Sequence, residues 1–140
     1  MKKLILILCF GLVGCGDGDV AISDQNNFCS PAVQPYVDEL TAAGLIIDIN
    51  VVHVVADYIP DAYGALAFTP SNVILYHPDW LSDPHETRVL RVCHELAHLI
   101  CRKSDATDGT ILDWDSLEYK KLSWYVQYIN DGCPPDVSWQ

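Results

Sequence analysis

Asp83-Pro84-His85-Glu86-Thr87-Arg88-Val89-Leu90-Arg91-Val92-Cys93-His94-Glu95-Leu96-Ala97-His98-Leu99-Ile100-Cys101 is the stretch around which the rest of the chain is organised. An acidic cap at Asp83, a proline at the first helical position and a glutamate at the third predict a helix from Pro84 to about Cys101. Val89, Leu90, Val92, Cys93, Leu96, Ala97, Leu99 and Ile100 are apolar around most of its circumference, the pattern of a helix buried in a core. Arg88, Arg91, His94, Glu95, His98 and Arg102 form the remaining polar stripe, expected to be the helix's one wet face. Four residues apart on a helix, the imidazoles of His94 and His98 stand one above the other, at the separation a single Zn²⁺ requires. Glu95 lies about a quarter turn away, within reach of a water on such a metal. With five His in 140 residues, the five-residue pattern arises by chance on the order of once in a few hundred chains, so its setting has to decide.

Upstream, Ser30-Pro31 starts a helix over roughly 32–43, with Val33, Val37 and Leu40 on its apolar face and Gly44 as its stop. Ile46 to Ala56 is rich in β-branched residues and reads as a largely buried strand, in which His53 is a satisfied core histidine. After a Pro60-Asp61 turn, Tyr63-Gly64-Ala65-Leu66-Ala67-Phe68 is a short strand whose small residues suit a sheet edge open to another backbone. Thr69-Pro70-Ser71-Asn72 turns the chain into the strand Val73–Tyr76; His77, before Pro78, is structural or superficial. Beyond the histidine helix, 103–115 reads as a loop. A last helix over about 116–130 carries Leu117, Leu122, Val126 and Ile129 and ends at Asp131-Gly132. The fold class is therefore α+β, one modest domain of roughly 110 ordered residues.

Met1-Lys2-Lys3 followed by the apolar run Leu4 to Gly14 is an export signal, too short for a comfortable membrane span. Its end, Leu12-Val13-Gly14-Cys15, resembles the lipobox of bacterial lipoproteins. That resemblance implies residues 1–14 as a signal peptide, a lipid on Cys15 that attaches the chain to a membrane, and a location in the bacterial cell envelope. Gly16, in place of an inner-membrane-retaining aspartate, favours the outer membrane. Residues 15–28 form the lipidated cysteine and a flexible Gly/Asp/Asn-rich tether, and 29–140 form the domain. Loss of Lys2 and Lys3 takes the net charge of −11 to −13, which argues against nucleic acid as a partner. Cys29, Cys93, Cys101 and Cys133 remain for bridges in an oxidising compartment. Cys93 and Cys101 lie about 12 Å apart along one helix, too far to pair, so each is expected to tie to Cys29 or Cys133. No C-x-x-C spacing supports a cysteine zinc site.

A catalytic zinc takes three protein ligands, and Asp105, Asp108 and Glu118 compete for the third place. Glu118 stands at a spacing similar to that of the thermolysin-like peptidases, but Leu117 and Leu122 occupy the flanking positions where those carry asparagine and aspartate. As a whole the stretch resembles the metzincins, whose His-Glu-x-x-His helix follows an edge strand and a second strand and precedes a third ligand, a methionine turn and a closing helix. It resembles in particular small bacterial metzincin-like lipoproteins with the third ligand seven residues after the second histidine, which is Asp105 here. Three departures stand out. The third ligand is Asp rather than His, the glycine that lets the chain leave the helix is missing from Cys101-Arg102-Lys103, and Leu112 occupies the place of the turn's methionine.

The resemblance implies a short mixed sheet packed on an N-terminal helix and the zinc-binding helix. It further implies a lipid-anchored zinc endopeptidase, monomeric, with zinc on His94, His98 and Asp105 and Glu95 as catalytic base toward a peptide or protein substrate. Trp114, Tyr119 and Tyr125 are candidates to assist the oxyanion, and nothing in the sequence separates them from core aromatics. The rival expectation is a catalytically inactive envelope lipoprotein that keeps the fold, with or without a structural zinc, and has a binding or structural role such as adhesion or exclusion.

Overall fold

The computed structural model describes residues 28–59, 64–105, 111–113 and 121–135. Among these residues the fold has three helices and a three-stranded mixed sheet: α1 (Gln34–Ala42), β1 (Val52–Val55), β2 (Ala65–Phe68), β3 (Val73–Tyr76), a 3₁₀ turn (Pro78–Ser82), α2 (His85–Cys101) and α3 (Leu122–Asn130). The order across the sheet is β1-β3-β2. β1 runs parallel to β3, with Val52 opposite Val73, and β2 runs antiparallel to β3, with Ala65 opposite Tyr76. β2 is thus an edge strand, as its small residues predict. The outer side of β1 is met by a Cys29–His53 bridge, with His53 N donating to Phe28 O at 2.7 Å and Ser30 N to His53 O at 2.9 Å.

α2 is the hub, packed against α1, α3 and β2. Val89, Val92, Cys93, Leu96, Ala97 and Leu99 on it are buried in one core with Val33, Tyr36, Leu40, Ile74, Tyr76, Trp80, Tyr125 and Ile129. Each large aliphatic side chain in that core contributes on the order of 1.5–3 kcal/mol. At its start, His85 Nε2 meets Glu39 Oε2 at 2.7 Å and the Arg88 guanidinium lies 5.2 Å from the Tyr36 ring centre, which fixes α2 against α1. Both glycine stops act as read from the sequence. Gly44 (φ 93°) and Gly132 (φ 78°) take left-handed backbone, and Leu45 N and Cys133 N return to Leu40 O and Tyr128 O, closing Schellman-type ends.

Several boundaries move. α2 begins at His85 with Pro84 as its cap, one residue later than expected, and no side chain caps it. α1 begins at Gln34, because the chain from Pro31 to Val33 turns before the helix closes. The predicted strand over Ile46–Ala56 shrinks to Val52–Val55. Asn130 explains part of this: its side chain accepts from Ile46 N at 3.0 Å and donates to Gly44 O at 2.8 Å, pinning this segment to the end of α3 and leaving Ile46 66% exposed. Of the two expected bridges one forms, Cys101–Cys133, while Cys29 and Cys93 sit in the core as buried thiols, where cysteine packs as a small apolar group. The N-terminal signal, Cys15, the tether, Tyr63 at the start of the predicted edge strand, and 116–120 of the predicted last helix lie outside the described residues.

Candidate metal centre

The i, i+4 spacing on α2 brings His94 Nε2 and His98 Nε2 to 2.9 Å, and Asp105 Oδ1 approaches each of them at 3.1 Å. These three form the one group of three His, Cys, Asp or Glu side chains found close enough to share an ion among the described residues. Asp108 and Glu118, the competing third ligands, lie outside the described residues. Edges of 2.9–3.1 Å compare with about 3.3 Å between ligands of a tetrahedral zinc bonded at 2.0–2.1 Å. Two imidazole nitrogens and a carboxylate oxygen are also a common donor set for this ion.

The outward nitrogens of both rings are engaged. His98 Nδ1 lies 2.7 Å from Lys103 O, and a carbonyl only accepts, so this nitrogen carries the proton and Nε2 presents a lone pair to the cluster. His94 Nδ1 lies 2.9 Å from the Tyr125 hydroxyl, which either donates or accepts. Such partners orient metal-bound imidazoles and set their tautomers. Tyr125, one of the three aromatic candidates for the oxyanion, is fully buried on α3 with its hydroxyl on His94. Trp114 and Tyr119 lie outside the described residues.

The turn out of α2 delivers both Lys103 O and Asp105. In place of the missing glycine, Arg102 itself takes left-handed backbone (φ 54°, ψ 38°). A side chain there costs about 1 kcal/mol relative to glycine. Arg102 Nη1 donates to Thr69 O, and the Cys101–Cys133 bridge holds the preceding residue. Lys103 Nζ then donates to Cys133 O at 2.9 Å and to the Tyr128 hydroxyl at 3.1 Å.

The polar stripe is wet only at its margins: Arg102 is exposed and Arg88 and Arg91 are half-buried, whereas His94, Glu95 and His98, expected to face water, are 1%, 4% and 8% exposed. α3 and β2 pack on α2 on the side of these three, leaving Asp105, with its side chain 64% exposed, as the solvent-facing member of the cluster. Hydrogen bonding to His94, with the nearby charges of both histidines, holds Asp105 below the usual carboxylate range against the opposing effect of its partial burial. Burial pushes Glu95 up to about 8, reinforced by the charge of Asp105 and opposed by Arg91 and by a hydrogen bond from the Ala67 backbone of β2.

Arg91, one turn before Glu95, pairs with Asp83 at 3.4 Å. It runs beneath Gly64, where a Cβ would stand 1.6 Å from its Nη1. Leu112 is buried in the core beside Ile111. His53 is buried with Nδ1 2.9 Å from the Tyr76 hydroxyl, and burial lowers its pKa to about 4, as befits a core histidine. His77 caps the 3₁₀ turn by accepting from Asp79 N. No family model, curated protein or solved structure matches the chain.

Proposed function

We propose that the chain is a lipid-anchored zinc endopeptidase of metzincin-like build, with the metal on His94, His98 and Asp105. The observation that carries this reading is the convergence of three donor atoms within 2.9–3.1 Å of one another while the far nitrogen of each ring is already hydrogen-bonded. A zinc held there supplies a water of lowered pKa and a Lewis acid for a peptide carbonyl. Glu95 takes the proton from the attacking water and gives it to the leaving amine. Its burial favours the protonated carboxyl, and a divalent charge beside it favours the ionised form that a base requires. An extended peptide lies antiparallel to the β2 edge, whose Ala67 N–H bonds Glu95 and so joins the edge to the reacting group. The chain acts as a monomer, held at the outer membrane by lipid on Cys15.

The expected outcome is one zinc per chain and cleavage of a mixed peptide pool that a chelator abolishes. Glu95→Gln keeps the zinc and loses hydrolysis, whereas His94→Ala loses the zinc. A Glu95→Gln protein that still cleaved a wild-type substrate would remove the base from the reading, and a protein free of metal after zinc has been supplied would remove the reading altogether. The dryness of both histidines and the engagement of Glu95 by Ala67 favour a second reading, a closed structural zinc in an inactive envelope lipoprotein; tight zinc with no turnover supports it.

A further inference from the structure

We infer that Tyr125 is a positioning residue for the metal ligand His94, its hydroxyl serving as acceptor when the cluster holds a cation and as donor when it does not. The inference rests on the metal reading above. It follows from what each group can donate. Lys103 O fixes the proton of neutral His98 on Nδ1, so Nε2 of His98 always turns a lone pair toward His94 and Asp105. With His94 in the same tautomer, two ring lone pairs and a carboxylate oxygen face one another at 2.9–3.1 Å, an arrangement only a cation makes favourable.

Without a cation, the neutral ring of His94 has to carry its proton on Nε2, where it donates to His98 Nε2 or Asp105 Oδ1. Its Nδ1 is then a buried lone pair that needs a donor, and the Tyr125 O–H supplies one across 2.9 Å. With a cation, the proton stands on Nδ1, Nε2 is a ligand, and the same oxygen accepts. Between the two states one proton moves from Nε2 to Nδ1 of His94, none is gained or lost, and the hydroxyl hydrogen turns about the C–O bond. A backbone carbonyl, such as His98 has, serves only the second state. A phenol hydroxyl serves both. The two ligands thus differ: His98 is set for metal at all times, and His94 adapts.

The test uses the full ¹⁵N-labelled chain in detergent at pH 8, with imidazole nitrogens assigned by single histidine substitutions. Adding zinc is expected to move the proton of His94 from Nε2 to Nδ1 while His98 keeps Nδ1–H throughout. Tyr125→Phe, checked for native near-ultraviolet dichroism, is expected to bind zinc about 10–100-fold more weakly in competition with a chromophoric chelator. A wild-type His94 that carries Nδ1–H with and without zinc overturns the inference, even if Tyr125→Phe fails to fold, and so does a folded Tyr125→Phe with undiminished affinity. Absence of zinc binding by the wild type overturns instead the reading on which the inference stands.

Discussion

His53 shows how a single imidazole is converted from a titrating group into part of a core. It is 3% exposed and hydrogen-bonded to the Tyr76 hydroxyl, and burial takes its pKa from 6.5 to about 4. As pH falls below 6.5 the unfolded chain takes up a proton that the native chain refuses until about 4. The native state therefore loses stability across that window, by up to about 3 kcal/mol. His53→Gln is expected to lower the melting temperature at pH 7.5, because it disturbs the Tyr76 contact, and to flatten its decline between pH 6.5 and 4. An equally steep decline in the variant would assign the acid sensitivity to other groups. The same imidazole was legible in the sequence because it stands among β-branched residues. The partner of His94 was not: Tyr125 lies on the apolar face of α3, where nothing in spacing or composition distinguishes a hydroxyl that bonds a buried histidine from one that packs. Lys103 left no signal at all, since it contributes a backbone carbonyl that any residue could supply.

At the scale of elements, α2 was the most legible part of the chain, because seventeen residues give the apolar pattern several turns in which to declare itself. The stripe opposite is legible in membership, but its central residues His94, Glu95 and His98 are dry where the pattern predicts water. Polarity shows which residues need partners and does not say whether water or protein provides them. The segment from Ile46 departs from the expected strand for a related reason: β-branched composition fits an extended chain, but strand pairing needs a neighbour, and Asn130 holds the start of this stretch elsewhere. Gly64 and Arg91 form a contact no local pattern announces. Gly64→Ala places a Cβ 1.6 Å from the guanidinium, at a φ of 63° that side chains rarely adopt. It is expected to cost about 2 kcal/mol or more in urea denaturation. In the Arg91→Ala background the cost should shrink to the backbone strain of about 1 kcal/mol; an unchanged cost would mean that Arg91 gives way freely. Arg102 makes the complementary case. Arg102→Gly is expected to be more stable than Arg102→Ala by about 1 kcal/mol, the reverse of the order inside a helix, because both lose the bond to Thr69 O and glycine alone relieves the left-handed backbone. Equal stabilities would show that the turn bears no strain.

For the molecule as a whole, the Cys101–Cys133 bridge closes a loop with a sequence separation of 32 that runs from the end of α2 through Lys103 and Asp105 to the end of α3. By loop-closure entropy its loss costs roughly 3–4 kcal/mol, a large part of the stability of a domain this small. Cys133→Ser is expected to lower the urea midpoint accordingly and, on the proposed metal reading, to weaken zinc binding, since Asp105 and the carbonyl bonded to His98 both lie inside the loop. Full zinc affinity in a measurably destabilised Cys133→Ser would separate the bridge from the centre. The two ends of the described chain are thus fastened differently, the later one covalently and the earlier one by the bridge of Phe28–Ser30 to His53. Any pull arriving from the N-terminal side loads two backbone hydrogen bonds and the seating of Cys29 before it reaches α2, so mechanical tension would peel this segment from the sheet while the histidine pair and its carboxylate stayed braced by the sulfur link at the opposite end.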